Sequence, residues 1–134
     1  MGIVKSIKIS FVGMLCFCLA GCGAETALVF IPIFSATWPV QGDEDYFIDL
    51  QPDDDNKNVE SGVFEGEEIH FSIPEKDGNF LSGSFKGHDI QFTIQRPNNV
   101  NVKYTGTMKT ASESDSFVTR IELHSSEGSL ILVR

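Results

Sequence analysis

The sequence predicts an all-β domain in which about eight strands form an antiparallel up-and-down meander and close into a small barrel. Apolar and polar residues alternate with a period of two in most segments after residue 35, and a thirteen-residue unit occurs twice. No stretch after Cys22 has the 3.6-residue period of an amphipathic helix. A two-sheet β-sandwich is the alternative. We favour the barrel because closure removes exposed sheet edges.

Residues 1–21 have the layout of a secretory signal. Lys5 and Lys8 supply positive charge, and residues 9–20 are apolar apart from Ser10. This run is too short for a permanent membrane span, which needs about 20 residues. We therefore predict a signal peptide over residues 1–21, and cleavage by an ordinary signal peptidase after a small residue is the alternative.

Residues 19–22, Leu-Ala-Gly-Cys, resemble the lipobox of bacterial lipoproteins. The resemblance implies cleavage between Gly21 and Cys22, a diacylglyceryl group on the Cys22 thiol, and acylation, for example by palmitate, of the new amino group. One acyl chain binds a membrane weakly, whereas two or three hold a protein for a long time. Gly23, in place of Asp, favours the outer membrane facing the periplasm if the cell is Gram-negative.

Removal of the signal leaves 113 residues, enough for one domain. Lys5 and Lys8 leave with it, so eight basic side chains remain against 19 acidic ones, a formal net charge of −11. This charge disfavours nucleic acid as a partner. Cys22 is the only cysteine after processing, which excludes a disulfide within the domain and a cysteine-based zinc site.

The processed chain is predicted to comprise a lipidated, apolar lead-in over residues 22–35 and a single β domain over residues 36–134. Residues 27–34 are almost wholly apolar, and we expect them to form a first strand or to plug the barrel; contact with the membrane or a partner is the alternative. A strand around residues 36–40 contains Trp38. In the next strand Tyr46, Ile48 and Leu50 share the inward face, and residues 52–56 form a turn.

The repeated unit lies at residues 61–73 and 82–94, with seven identical positions. We expect each copy to be a hairpin with a type II′ turn, at Gly66-Glu67 and at Gly87-His88, and residues 76–78 to connect the two. This register leaves His70 outside. It directs several large side chains into the barrel as core or pocket residues, namely Phe64, Ile69, Phe71, Phe85, Ile90 and Phe92.

Alternation continues to the end of the chain. Val100, Val102, Tyr104 and Met108 share one face of a strand, and a polar loop over residues 109–116 follows it. Phe117, Ile121 and Leu123 are assigned to the inward face of the next strand. Residues 129–133 form the last one. Six- or seven-residue strands are short for an outer-membrane barrel, so we expect an apolar interior.

A Trp in an early strand, followed by a meander of glycine-punctuated hairpins, resembles the calycin group of lipocalin-like and avidin-like barrels. The resemblance rests on Trp38 and the two repeat units, and it implies a fold over residues 36–134. It departs from lipocalins at Ala36, where they usually carry glycine, and in lacking their final helix.

Candidate chemistry is sparse after Cys22. His70, His88 and His124 share no local ligand spacing, so we predict no metal site. The acidic runs at residues 43–45 and 53–56 lack the form of a calcium loop. Residues 83–87 have Phe85 where a nucleophile elbow needs its nucleophile. We therefore predict no enzyme and no cofactor.

Two functions fit these features. The first is a lipid-anchored interaction domain of the cell envelope, with a packed interior that lacks polar groups and with an envelope protein as partner. The alternative is a module that binds a small apolar ligand inside the barrel, lined by Phe64, Phe71, Phe85 and Phe92.

Overall fold

The structure, a computed structural model, describes residues 29–134. The predicted signal peptide, the Gly21-Cys22 cleavage site, the acylation site at Cys22 and the first part of the lead-in lie outside the described residues. Among residues 29–134, no helix is long and apolar enough to cross a membrane.

The prediction of an antiparallel meander that closes into a barrel is confirmed. Each strand pairs with the next along the chain, and Val40 pairs with Leu132 to join the first strand to the last. This closed topology excludes the two-sheet sandwich. The strands are β1 (Ala36–Val40), β2 (Asp43–Gln51), β3 (Ser61–His70), β4 (Asn79–Lys86), β5 (Asp89–Arg96), β6 (Val100–Thr110), β7 (Val118–Ser125) and β8 (Gly128–Val133).

The inward side chains form an apolar core, as the alternation predicts. In β2, Tyr46, Ile48 and Leu50 are buried, while Phe47 and Asp49 face outward. Trp38 of β1 is completely buried, and its indole N–H donates to the Phe34 carbonyl oxygen at 2.9 Å. The indole thus buries its large ring without leaving its polar atom unpaired.

The second copy of the repeat forms the predicted hairpin. Phe85 pairs with Ile90 and Gly83 with Phe92 across β4 and β5. Gly87 begins the turn with a φ of 56°, as a type II′ turn requires at this position. The Gly83 position has no room for a side chain, because a Cβ there would lie 2.6 Å from the Phe92 Cβ.

The first copy of the repeat is not a hairpin. Gly66 and Glu67 lie inside the continuous strand β3, where they pair with Leu50 and Asp49 of β2 on one side and with Leu81 and Phe80 of β4 on the other. A Cβ on Gly66 would lie 1.8 Å from the Asp49 carbonyl oxygen. The glycine therefore permits close approach of β2 rather than a turn.

Because β3 does not turn, its side-chain alternation runs unbroken through Gly66. Phe64, Glu68 and His70 point inward, and Ile69 and Phe71 point outward. The predictions that Phe71 is a core residue and that His70 is outside are both wrong: Phe71 is 72% exposed and His70 is buried. The connection to β4 is also longer than predicted and contains a 3₁₀ turn at Pro74–Lys76.

The prediction that Phe117 points inward is wrong as well. Thr110 pairs with Val118 and Lys109 with Arg120, so Thr119 is an extra residue in β7. This bulge shifts the alternation by one residue. Val118 is consequently buried together with Ile121 and Leu123, and Phe117 faces outward.

The meander gives the barrel two different ends. At one end, called the base, lie residues 29–35, the β2–β3, β4–β5 and β6–β7 connections, and Arg134. At the other end, called the cap, lie the remaining four connections. The lead-in closes the base: Phe34 packs edge-on against Phe85 at 5.0 Å and Phe64 at 5.5 Å, which matches the predicted plug.

Candidate functional site

Polar side chains converge inside the cap end of the barrel, and we call this group the polar cap. β3 supplies two of its members at its carboxyl end, and β2, β4, β5, β6 and the β7–β8 turn supply one each. The members are Tyr46, Glu68, His70, Asn79, Arg96, Tyr104 and Glu127. Their presence contradicts the expectation of an interior without polar groups.

Glu68 is the centre of the polar cap and is 0% exposed. Its Oε1 accepts hydrogen bonds from Asn79 Nδ2 at 2.8 Å and from Arg96 Nε at 3.1 Å. Its Oε2 accepts from the Tyr46 hydroxyl and from Arg96 Nη2 at 2.7 Å. A carboxylate has about four acceptor positions, so Glu68 is fully satisfied by protein donors.

Arg96 links Glu68 to a second carboxylate. Its Nη1 and Nη2 donate to Glu127 at 2.6 and 2.7 Å, and the Tyr104 hydroxyl donates to the same carboxylate at 2.6 Å. The hydrogen bonds from Arg96, and then that from Tyr104, hold the pKa of Glu127 at about 2 against the opposing effect of burial. Arg96 thus makes two hydrogen bonds to each of the two carboxylates. This bidentate geometry fixes the side chains of Glu68, Arg96 and Glu127.

The two tyrosines of the polar cap stay protonated over a wide pH range. Burial, and then the hydrogen bond to Glu127, raises the pKa of Tyr104 to about 12. Burial and Glu68 raise the pKa of Tyr46 further. Both hydroxyls are therefore permanent donors to carboxylates rather than groups poised to exchange a proton near neutral pH.

His70 is occupied at both ring nitrogens. Nδ1 accepts from the backbone N–H groups of Ser72 and Ile73, each at 3.1 Å, so the proton resides on Nε2, which donates to Asp43 at 2.9 Å. This hydrogen bond lowers the pKa of Asp43. With both nitrogens used, His70 orders the β3–β4 connection and has no free lone pair for a metal ion.

The other sequence candidates lie apart from the polar cap. His88 is in the β4–β5 turn, stacked on Phe30 at 3.8 Å, and His124 lies on the outside of β7 beside Thr105. Asp53 caps the 3₁₀ turn Asp54–Asn56. Over residues 29–134, no group of three or more His, Cys, Asp or Glu side chains is arranged to hold a metal ion.

The interior below the polar cap is filled by the chain's own rings. Phe64, Phe85 and Phe92 are buried, and the Phe92 ring lies 5.7 Å from Tyr104 and 6.3 Å from Phe64. Recesses of the described residues lie on the outer surface, including one of about 990 Å³ between Val29, Phe30 and the β6–β7 loop. The three rings act as core.

The outside of β2–β4 carries an apolar surface near the cap, which we call the aromatic face. It consists of Phe47, Ile69, Phe71 and Phe80. Phe47 pairs with Ile69 and lies 5.7 Å from the Phe71 ring. Acidic residues surround this surface: Glu67 lies between Asp49 and Phe80 in the ladder, and the Asp45 carbonyl accepts the Phe71 N–H.

Sequence reasoning missed the polar cap because the misplaced turn at Gly66 moved Glu68 to the outside. Tyr46 and Tyr104 gave the available signal, since both have inward positions and a buried tyrosine hydroxyl needs a partner. Comparison of the chain with protein-family models, with curated proteins and with solved structures finds no match to any of them.

Proposed function

We propose that this protein is a lipid-anchored, non-catalytic interaction module of a bacterial cell envelope. The observation that carries the proposal is a barrel filled by its own side chains, from Phe34 at the base to the saturated Glu68 carboxylate at the cap. Because side chains fill the interior, we assign the function to the outer surface of the barrel. The anchor is assigned to Cys22 on the lipobox resemblance, and Gly23 in place of Asp favours the periplasmic side of the outer membrane in a Gram-negative cell.

The aromatic face is the surface we assign to partner binding. Monomeric proteins rarely expose several large apolar side chains together without a use for them. The flanking carboxylates of Asp45, Asp49 and Glu67 favour a partner whose apolar patch has a basic rim. The partner is therefore an exported envelope protein rather than an anionic lipid surface or a nucleic acid.

The alternative, a small apolar ligand inside the barrel, requires displacement of the rings of Phe64, Phe85 and Phe92 from the core. Native mass spectrometry of the protein purified from its own cells distinguishes the two. A bare protein mass supports the interaction module, and a stoichiometric co-purifying apolar molecule supports the ligand-binding alternative.

Photo-crosslinking in living cells tests the interaction surface. A benzophenone amino acid at position 71 is expected to give one discrete adduct with an envelope protein, and Glu67→Gln and high salt are expected to weaken it. The same amino acid at Val63, exposed on the outside of β3, is the control. Equal adducts at both positions, no adduct, or only crosslinks between copies of this chain would overturn the assignment.

Replacement of Cys22 by serine tests the anchor. We expect the variant to lose incorporation of labelled palmitate and to leave the membrane fraction. Retained palmitate and unchanged membrane association would refute the lipoprotein assignment.

A further inference from the structure

We propose that the base of the barrel rests against the membrane surface, with Ile33, Phe117 and Arg134 at the contact. The inference rests on the proposed lipidation of Cys22 and deepens it, because it specifies which surface meets the lipid. It is carried by an exposed apolar pair at the base, by a cation beside that pair, and by the short distance along the chain to Cys22.

The apolar pair is built into the barrel rather than carried on a free loop. Ile33 forms a parallel β-bridge with Phe117, in which the Ile33 N–H donates to the Ser116 carbonyl at 2.9 Å and the Val118 N–H donates to the Ile33 carbonyl at 3.0 Å. Their side chains are nevertheless 44% and 52% exposed. A rigid backbone thus presents two large apolar side chains side by side.

A cation lies next to this pair. The guanidinium carbon of Arg134 is 4.1 Å from the centre of the Phe117 ring, and Nη2 donates to the Ile33 carbonyl. An aromatic ring and a guanidinium together suit the boundary between acyl chains and headgroups. There the ring leaves water for the acyl chains, while the guanidinium can bind headgroup phosphate. The three side chains therefore form one amphipathic contact.

The chain length between the anchor and the base limits where the barrel can sit. Six residues lie between Cys22 and Val29, and the seven steps along the chain span at most about 25 Å when fully extended. Val29 itself is exposed and lies on the same end of the barrel as Ile33 and Phe117. A protein held by acyl chains at Cys22 consequently meets the membrane with its base.

Charge confines this contact to a small part of the base. The β2–β3 connection carries Asp53, Asp54 and Asp55, and the β6–β7 loop carries Glu113 and Asp115; these carboxylates oppose approach to anionic headgroups. The contact is therefore limited to the apolar pair and Arg134. This orientation directs the polar cap and the aromatic face away from the lipid, where a protein partner can reach them.

Fluorescence quenching tests the orientation. The mature lipidated chain carrying Phe117→Trp is reconstituted into phosphatidylcholine vesicles whose acyl chains are brominated near the headgroup. We expect the introduced tryptophan to lose most of its emission, while buried Trp38 contributes the same background in every variant. Phe71→Trp, at the cap end, is the matched control and should keep its emission. Ile33→Trp repeats the measurement if Phe117→Trp does not fold.

Flotation of the same vesicles separates the two proposals. Protein that fails to float with the vesicles refutes lipid anchoring itself. Protein that floats but shows equal quenching at positions 117 and 71, or no quenching at 117 and 33, refutes the docking of the base and leaves the anchor standing.

Discussion

The guanidinium of Arg134 lies over the ring of Trp38, with 4.5 Å between the guanidinium carbon and the ring centre. Its Nε donates to the Val118 carbonyl at 2.9 Å and its Nη2 to the Ile33 carbonyl at 3.0 Å. One side chain after β8 therefore joins β1, β7 and the lead-in. This contact closes the base of the barrel over the core.

Replacement of Arg134 by methionine should destabilise the protein by about 1–3 kcal/mol, because the Val118 and Ile33 carbonyls each lose the hydrogen bond from the guanidinium and Trp38 loses the cation above its ring. Trp38 is the only tryptophan, so its emission should also shift to the red as water reaches the ring. Urea unfolding followed by fluorescence measures both. Arg120→Met, which removes an exposed ion pair with Glu122, is the control and should change stability by about 0.5 kcal/mol or less. Equal losses in both variants would contradict the role of Arg134.

Glu68→Leu should reduce the free energy of unfolding by about 3–5 kcal/mol, because it leaves Arg96 without one of its two partners in a buried site. The same substitution at the neighbouring Glu67 is the matched control, since that side chain faces outward opposite Asp49. We expect Glu67→Leu to change stability by about 0.5 kcal/mol or less. A β3 strand that turned at Gly66-Glu67 would leave both carboxylates exposed, and the two substitutions would then have similar, small effects.

The free energy of unfolding should fall in acid, because the Glu127 carboxylate becomes protonated. Its pKa is lowered from 4.5 in the unfolded chain to about 2 in the folded one. The stabilisation is therefore complete above pH 4.5 and is lost as the pH falls from 4.5 through 2. Because the carboxylate is partly exposed and screened, we expect about 2 kcal/mol from this group.

Chemical unfolding at pH 7, 4 and 2 measures this loss, with Glu127→Gln as the reference that cannot titrate at this position. The stability difference between the native protein and Glu127→Gln should shrink as the pH falls. A difference that stays constant from pH 7 to pH 2 would show that Glu127 does not contribute as described.

Gly66→Ala should destabilise the protein by about 3 kcal/mol, because the new methyl group would force the Asp49 backbone away from β3. Gly87→Ala has open space around the methyl group and suffers only the left-handed conformation at φ 56°, a loss of about 1–2 kcal/mol. Thermal or urea unfolding of the two variants ranks them. A smaller effect at Gly66 than at Gly87 would argue against a continuous β3.

The sequence was sufficient to predict the barrel wherever alternation was uninterrupted. The inward faces of β2 and β6 follow from Tyr46, Ile48 and Leu50 and from Tyr104 and Met108, and the structure agrees. Alternation records only local geometry, however. It could not reveal the bulge at Thr119, which depends on how β7 meets β6 and which turns Phe117 outward.

The polar cap was beyond prediction for a related reason. Whether Glu68 is inside depends on whether Gly66 bends the chain, and a Phe and an Ile flank Gly66 at the same spacing at which a Phe and an Ile flank Gly87. What differs is the neighbour: β2 lies beside Gly66, and the Asp49 carbonyl occupies the space that a side chain would need. The placement of Arg96 between the carboxylates of Glu68 and Glu127 then follows from closure of the barrel, which no local pattern encodes.

The two copies of the repeat have the same residue spacing but different backbone shapes. In the first copy the strand continues through Gly66, whereas in the second copy the chain reverses direction at Gly87. In this barrel, therefore, a glycine between a phenylalanine and an isoleucine is compatible with either a continuous strand or a turn. The strand that packs beside the glycine determines which of the two forms.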